Sequence, residues 1–230
     1  MTCILAIDTT LGACSVALIK DKTLLSHKRE VRARGHVERL IPMIDEVCGA
    51  SAVDVTEVNQ IAVSIGPGTF AGVRIGLSAA KGMGLALDIP IIAVSTLEAL
   101  AYQYACEHND FSGKMAVAID ARRNEIYLQL FEIHGGNYTD ISEPQAVAVS
   151  LASDVLGGHV GLIIGSACGL LSELEIPCEQ GYDHPDAAFV AKMAIDLSPR
   201  AMVSDDISPL YLRAPDAVKS APLNMIVRDE

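Results

Sequence analysis

The chain has 230 residues, half of them apolar, and a formal net charge of −12. That length suits one large domain or two small ones, and the charge excludes a grip on RNA or DNA built from an overall lysine and arginine excess, although a local basic patch is compatible with it. No apolar run approaches the ~18 residues of a membrane span, and the six cysteines (Cys3, Cys14, Cys48, Cys106, Cys168, Cys178) form no C-x-x-C pair, so a soluble cytoplasmic protein with reduced core cysteines and no membrane partner is expected.

The first eight residues, Met1 to Asp8, lack a basic n-region and read as a strand, not a signal peptide. Strands at 3–8, 14–20 and 23–29 form a meander. In "HVERLIPMIDEVCGA", Val37, Leu40, Ile41, Ile44, Val47 and Cys48 recur at helical spacing. Pro42 should kink that helix or mark a late start, and Gly49 ends it. A strand at 60–65, the turn Gly66-Pro67-Gly68 and a helix over 69–87 follow. Asp88-Ile89-Pro90 breaks to a strand at 91–95, then a helix from Thr96 to about His108. After "HNDFSGK" come strands at 115–120 and 126–133, a turn at 134–137, a strand at 160–164, the turn Gly165 to Gly169, and a helix from about 186. The tail from Ser208 is proline-punctuated and expected to be partly mobile. "ILAID" and "AVAID" each close an apolar strand with an aspartate, Asp8 and Asp120, about half a chain apart. Two similar halves, each with a mixed sheet, are therefore expected in an α/β protein.

The stretch "AVSIGPGTFAGVRIGLSAAKG" carries neither G-x-x-x-x-G-K-[ST] nor G-x-G-x-x-G, because Ala71 stands at the third glycine of the latter. What remains is a turn, or a generic anion site at a helix start. Gly72, Gly76, Ala80 and Gly84 are spaced by four and form one bare row on the helix. Interior glycines each cost roughly 0.8–1 kcal/mol against alanine, so a second backbone must pack closely along the row. That neighbour is either the chain's own sheet or 36–50 helix, or the helix of another subunit.

"ILAIDTTLGACSVAL", "HVERLIPMIDEV", "IGPGTFAGVRIGLSAAKGMGLAL", "IPIIAVSTLEALA", "AIDARRNEIY" and "PLYLR", in this order and spacing, resemble the bacterial TsaB (YeaZ) family, strongly up to about residue 130. The resemblance implies two RNase H-like lobes of the actin/Hsp70/hexokinase (ASKHA) type, at 1–108 and 109–230, the second smaller, with the tail packed back on the first. It implies a dimerisation subunit for tRNA threonylcarbamoyladenosine (t6A) formation. Such a subunit pairs with its catalytic paralogue TsaD through the helices at 36–50 and 69–87, and the ATPase TsaE joins them. Contacts are expected from His36, Leu40, Ile44, Gly72, Gly76, Ala80 and Gly84. Alone, the same helices would pair two copies, and tRNA would be reached only through the complex.

The H-x-x-x-H metal motif of TsaD is replaced by Thr96 and Leu100, and the six histidines are dispersed, so no metal site and no catalysis are expected. His36 is either a polar interface contact or solvated. Ser64 and Ser166 lack a G-x-S-x-G setting. In ATP-using relatives of the fold, an aspartate after the first strand of each lobe organises metal and phosphate. Asp8, Thr9 and Thr10 keep the first position. The loop after Asp120 has no glycine, but Arg122 and Arg123 could hold an anion or pair with partner carboxylates; both aspartates could equally be turn caps. No cofactor of its own is expected, with ATP or ADP conceivable at the TsaD interface. The alternative reading is a small ASKHA-fold ATPase or kinase acting alone.

Overall fold

The computed structural model describes residues 2–197 and 207–213. The tail beyond residue 213, expected to be partly mobile, lies outside the described residues. The first sheet comprises β1 (Cys3–Asp8), β2 (Ala13–Lys20), β3 (Thr23–Val31), β4 (Gln60–Ser64) and β5 (Ile91–Val94), in the order β3-β2-β1-β4-β5. β1–β2 and β2–β3 pair antiparallel, β1–β4 and β4–β5 parallel. β1 is buried along its whole length, which requires cover on both faces. On one face lie α1 (His36–Ser51) and α2 (Phe70–Leu87), whose Leu40, Met43, Ile44, Val47, Leu77 and Ala80 pack on Leu5, Ile7, Val16 and Val63.

The second sheet comprises β6 (Ser112–Arg122), β7 (Glu125–His134), β8 (Asn137–Asp140), β9 (Gln145–Ala148), β10 (Leu162–Ile164) and β11 (Cys178–Glu179). Its order is β11-β10-β6-β7-β8, with β9 also on β7. Read from the opposite edge this repeats the first sheet, with the same antiparallel meander and parallel strands beyond it. The expected duplication of RNase H-like lobes is thus present in the topology, with Asp8 and Asp120 at equivalent places.

The lobes exchange helices. α3 (Thr96–Glu107) comes from the first half, yet Leu97, Leu100, Ala101 and Tyr104 pack on Met115, Val117 and Phe131 of the second sheet. α5 (Ala187–Leu197) comes from the second half, yet Val190, Ala191 and Ala194 cover Ile4, Ala6 and Ala17 of the first. A cut at residue 108 therefore separates the sheets but not their packing layers. A strap at 207–213 closes the arrangement: Ile207 is buried in the first lobe's core, and Leu210 N–H donates to the Ile65 carbonyl at 2.8 Å.

Most expected elements agree within a few residues. Pro42 lies inside α1 without ending it. It is exposed beside Glu38 on the solvent side, where water can satisfy the carbonyl that a proline leaves without a donor. β8, β9, β11 and the short α4 (Ala152–Leu156) were not anticipated; they are too short for a periodic signal. Because Leu97 is fully buried between lobes, Leu97→Ala should lower unfolding free energy by about 2–5 kcal/mol. Leu85→Ala, 78% exposed, should change it by less than about 0.5 kcal/mol. Urea denaturation of both variants checks this.

Candidate functional site

The turn between β1 and β2 is built around Asp8. Its carboxylate accepts the Thr10 hydroxyl at 2.9 Å and the Thr10 N–H at 3.3 Å, the local hydrogen-bonding pattern aspartate favours in turns. The first turn of α2 lies directly on this loop. Thr69 N–H donates to the Thr10 carbonyl at 2.8 Å, and the Thr9 hydroxyl donates to the Gly72 carbonyl at 2.6 Å. Thr69 also caps the helix, its hydroxyl accepting Gly72 N–H at 3.1 Å. A Cβ at Gly68 would sit 2.4 Å from the Thr10 carbonyl oxygen, one at Gly72 2.1 Å from that of Thr9, and one at Gly76 2.7 Å from the Thr9 hydroxyl. A Cβ at Gly84 would meet Ile91 at 3.0 Å.

This geometry corrects the expected contact set. Gly72, Gly76, Ala80 and Gly84 are buried against the chain's own β1–β2 turn and sheet. His36, Leu40 and Ile44 of α1 are likewise turned inward. Helical spacing identifies a face but not which side of the chain covers it. The surface that α1 and α2 do leave open is different. Val37 (61% exposed) and Ile41 (52%) stand one turn apart on α1; Phe70 (50%) and Leu85 lie on α2. Between the last two, Ser78 and Gly82 are exposed and small, and nothing lies within 4 Å of a Cβ at Gly82. One edge of α1 is held by Arg39, which donates to Glu30 at 2.7 Å and to Glu46 at 2.7 Å. Arg39 and Lys28 hold the Glu46 carboxyl down at about 2.

A cleft of about 680 Å³ separates the lobes, between Gly12, Thr69 and Phe70 on one side and Asp120, Arg122 and Arg123 on the other. Tyr211 and Arg213 of the strap line it too. Tyr211 stacks on Phe70 at 5.7 Å, and its hydroxyl accepts Arg74 Nε–H at 2.9 Å. Arg213 donates to Glu125 at 2.7 Å. Arg122, Arg123 and Asn124 all take positive φ (66°, 57°, 58°), and Asp120 accepts Arg122 N–H at 2.7 Å, so Asp120 is a turn cap. The Arg122 side chain is 84% exposed.

The side chains of Asp8, Thr9 and Thr10 do not reach the cleft. All three are essentially fully buried, which corrects their expected anion contact. Four backbone donors around this turn have partners within the chain: Thr10 N–H gives to Asp8, Thr69 N–H to Thr10, Gly72 N–H to Thr69, and Gly12 N–H to His184 Nδ1 at 3.3 Å. Arg122 and Arg123 do line the cleft, opposite Gly12 and Thr69. Among the described residues, no group of three or more His, Cys, Asp or Glu side chains is placed to hold a metal. Thr96 and Leu100 are fully buried.

A protein-family model described as TsaD, tRNA N6-adenosine threonylcarbamoyltransferase, matches residues 25–163. The chain is 44% identical to the tRNA threonylcarbamoyladenosine biosynthesis protein TsaB of Escherichia coli over 124 residues, 54% of this chain and 52% of that protein. It is 43% identical to TsaB of Haemophilus influenzae over 126 residues, 54% of this chain and 51% of that protein. A solved structure, YeaZ from Pseudomonas aeruginosa, superposes with a TM-score of 0.81 at 28% identity, covering 92% of this chain and all of that one. The chain belongs to the TsaB/YeaZ family. It spans about half the length of those curated TsaB relatives. An uncharacterised Mycobacterium tuberculosis protein is 32% identical over 216 residues, 93% of each chain.

For this TsaB/YeaZ family member, sequence reasoning missed the exposed pair Val37 and Ile41, which it placed with the buried face, and the Phe70–Arg74–Tyr211 stack. The stack joins residues far apart in the chain, so no local pattern carries it. Two outcomes follow from the inward glycine row. Gly76→Leu should unfold or severely destabilise the isolated chain, seen as lost circular dichroism and solubility, whereas Gly82→Ala should stabilise it by about 0.5–1 kcal/mol. Asp8 adds a pH signature. Burial pushes its carboxyl up from the ordinary 3.8 to about 6, against the lowering pull of Ser64 and Thr10. The folded state thus binds this proton more tightly than the unfolded one, and stability falls as pH rises from about 4 to 6. Asp8→Asn should raise stability at about pH 7.5 by on the order of 2 kcal/mol and have little effect near pH 4, measured by urea midpoints across that range.

Proposed function

We propose that this chain is a non-catalytic scaffold subunit that docks a TsaD-like paralogue on the outer faces of α1 and α2 and supports t6A formation in tRNA. The observation that carries this reading is the open apolar surface of Val37, Ile41 and Leu85 beside the small residues Ser78 and Gly82. Apolar side chains left in water on neighbouring helices favour a helical partner, and a bare strip lets its backbone approach. The family membership supports the same pathway. The buried threonine and leucine at the lost histidine positions, and the sealed turn at Asp8, argue against independent metal or nucleotide chemistry. RNA contact then falls chiefly to partners, in keeping with the charge of −12. A TsaE-like ATPase completes the assembly, any ATP or ADP lying at the joint with TsaD. Without the paralogue, the same open face pairs two copies. Cytoplasmic action fits this reading, and among the described residues no helix is long and apolar enough to cross a membrane.

The rival reading, an ATPase or kinase acting alone, requires saturable ATP turnover by the purified chain. The docking reading is tested by co-elution with the TsaD-like paralogue at micromolar concentration. Ile41→Glu with Leu85→Glu should weaken the complex at least tenfold while leaving the circular dichroism unchanged. Unaltered binding by that double variant overturns the assigned face, and the absence of any complex with the parent chain overturns the scaffold role.

A further inference from the structure

Outside the cleft and the helix face, two of the six cysteines meet. Cys168 opens a 3-10 segment, Cys168–Leu174, that follows β10, and Cys178 is the first residue of β11. The parallel pairing of β10 with β11 sets Cys178 opposite Ile163. The Cys168 thiol lies 3.6 Å from the Ile163 carbonyl oxygen and 3.9 Å from that of Glu179, the residue after Cys178. Both side chains pack into one apolar cluster with Ile163, Leu171 and Ile176, so they occupy the same side of the sheet. Their exposures differ. Cys168 is 5% exposed, whereas Cys178 is only half-buried on an edge strand. Cys3 of β1 and Cys48 on the inner face of α1 also share a cluster, but both are buried, so neither offers an accessible first thiol.

We propose that Cys168 and Cys178 form a reversible disulfide when the protein meets a hydroperoxide. Cys178, the accessible sulfur, attacks one peroxide oxygen as its thiolate. The O–O bond breaks, leaving a sulfenic acid on Cys178 and releasing water or an alcohol. The Cys168 sulfur then attacks the Cys178 sulfur. The S–O bond breaks, and the departing hydroxide takes the Cys168 thiol proton as water. Two thiols are oxidised and one peroxide is reduced. Burial, and the contact with Cys178, push the Cys168 thiol above its ordinary range, which suits a resolving thiol that stays inert until its neighbour is oxidised. The bond would tie β11 to the segment following Ser166, whose hydroxyl accepts Asp120 N–H at 3.1 Å at the rim of the cleft.

The test uses the full reduced chain and hydrogen peroxide, followed by alkylation of the remaining thiols and peptide mapping by mass spectrometry. The expected product is a Cys168–Cys178 linkage lighter by two hydrogens. It should be recovered as two alkylated thiols after dithiothreitol, and be absent in both Cys178→Ser and Cys168→Ser. In Cys168→Ser the sulfenic acid on Cys178 should persist long enough to be trapped by dimedone. Circular dichroism of each variant verifies folding, and the mapping of the parent chain stands without them. Recovery of Cys178 in the parent chain as unreacted thiol, as sulfinic acid without linkage, or linked to any cysteine other than Cys168 overturns the proposal.

Discussion

The close seat of α2 on the β1–β2 turn organises much of this molecule. The Thr9 and Thr10 carbonyls face Gly72 and Gly68 at distances that no Cβ tolerates. The helix can approach only because its inner edge carries almost no side chain. Interior glycines are costly in a helix. Here backbone-to-loop hydrogen bonds and dense contact with β1 offset that cost. α1 lies beside α2 on the same sheet face, with its inner side chains on the strands.

That seat also governs what the molecule can do. In filling the turn around Asp8 it engages the Thr69 and Gly72 N–H groups and isolates a carboxylate from water. With the inner faces of α1 and α2 spent on the chain's own core, their outer faces remain the open helical surface. The buried turn at Asp8 and the exposed outer faces of the two helices therefore have one physical origin.

The second lobe repeats the strand order of the first, but the lobes are not independent. α3 and α5 each cover the sheet of the other half, and Tyr211 and Arg213 tie α2 to the β6–β7 turn. With Tyr211 stacked on Phe70 of the first lobe, relative movement of the lobes would break the Arg213–Glu125 pair. The arginines at 122 and 123 face a cleft whose walls are held by these crossings.

The amino-acid pattern by itself determined the long elements and the repeated strand ending in aspartate. Each rests on local periodicity or on the identity of a residue. It also showed that something must press against the glycine row. Only the tertiary structure decided what that was: Thr9 and Thr10 of the same chain. It decided too that Leu40 and Ile44 face inward while Val37 and Ile41 face water, that α5 belongs to the first sheet, and that β11 brings Cys178 to Cys168. A helical repeat specifies an angle around an axis; which object lies at that angle depends on contacts between segments distant in sequence, and those exist only once the chain has folded.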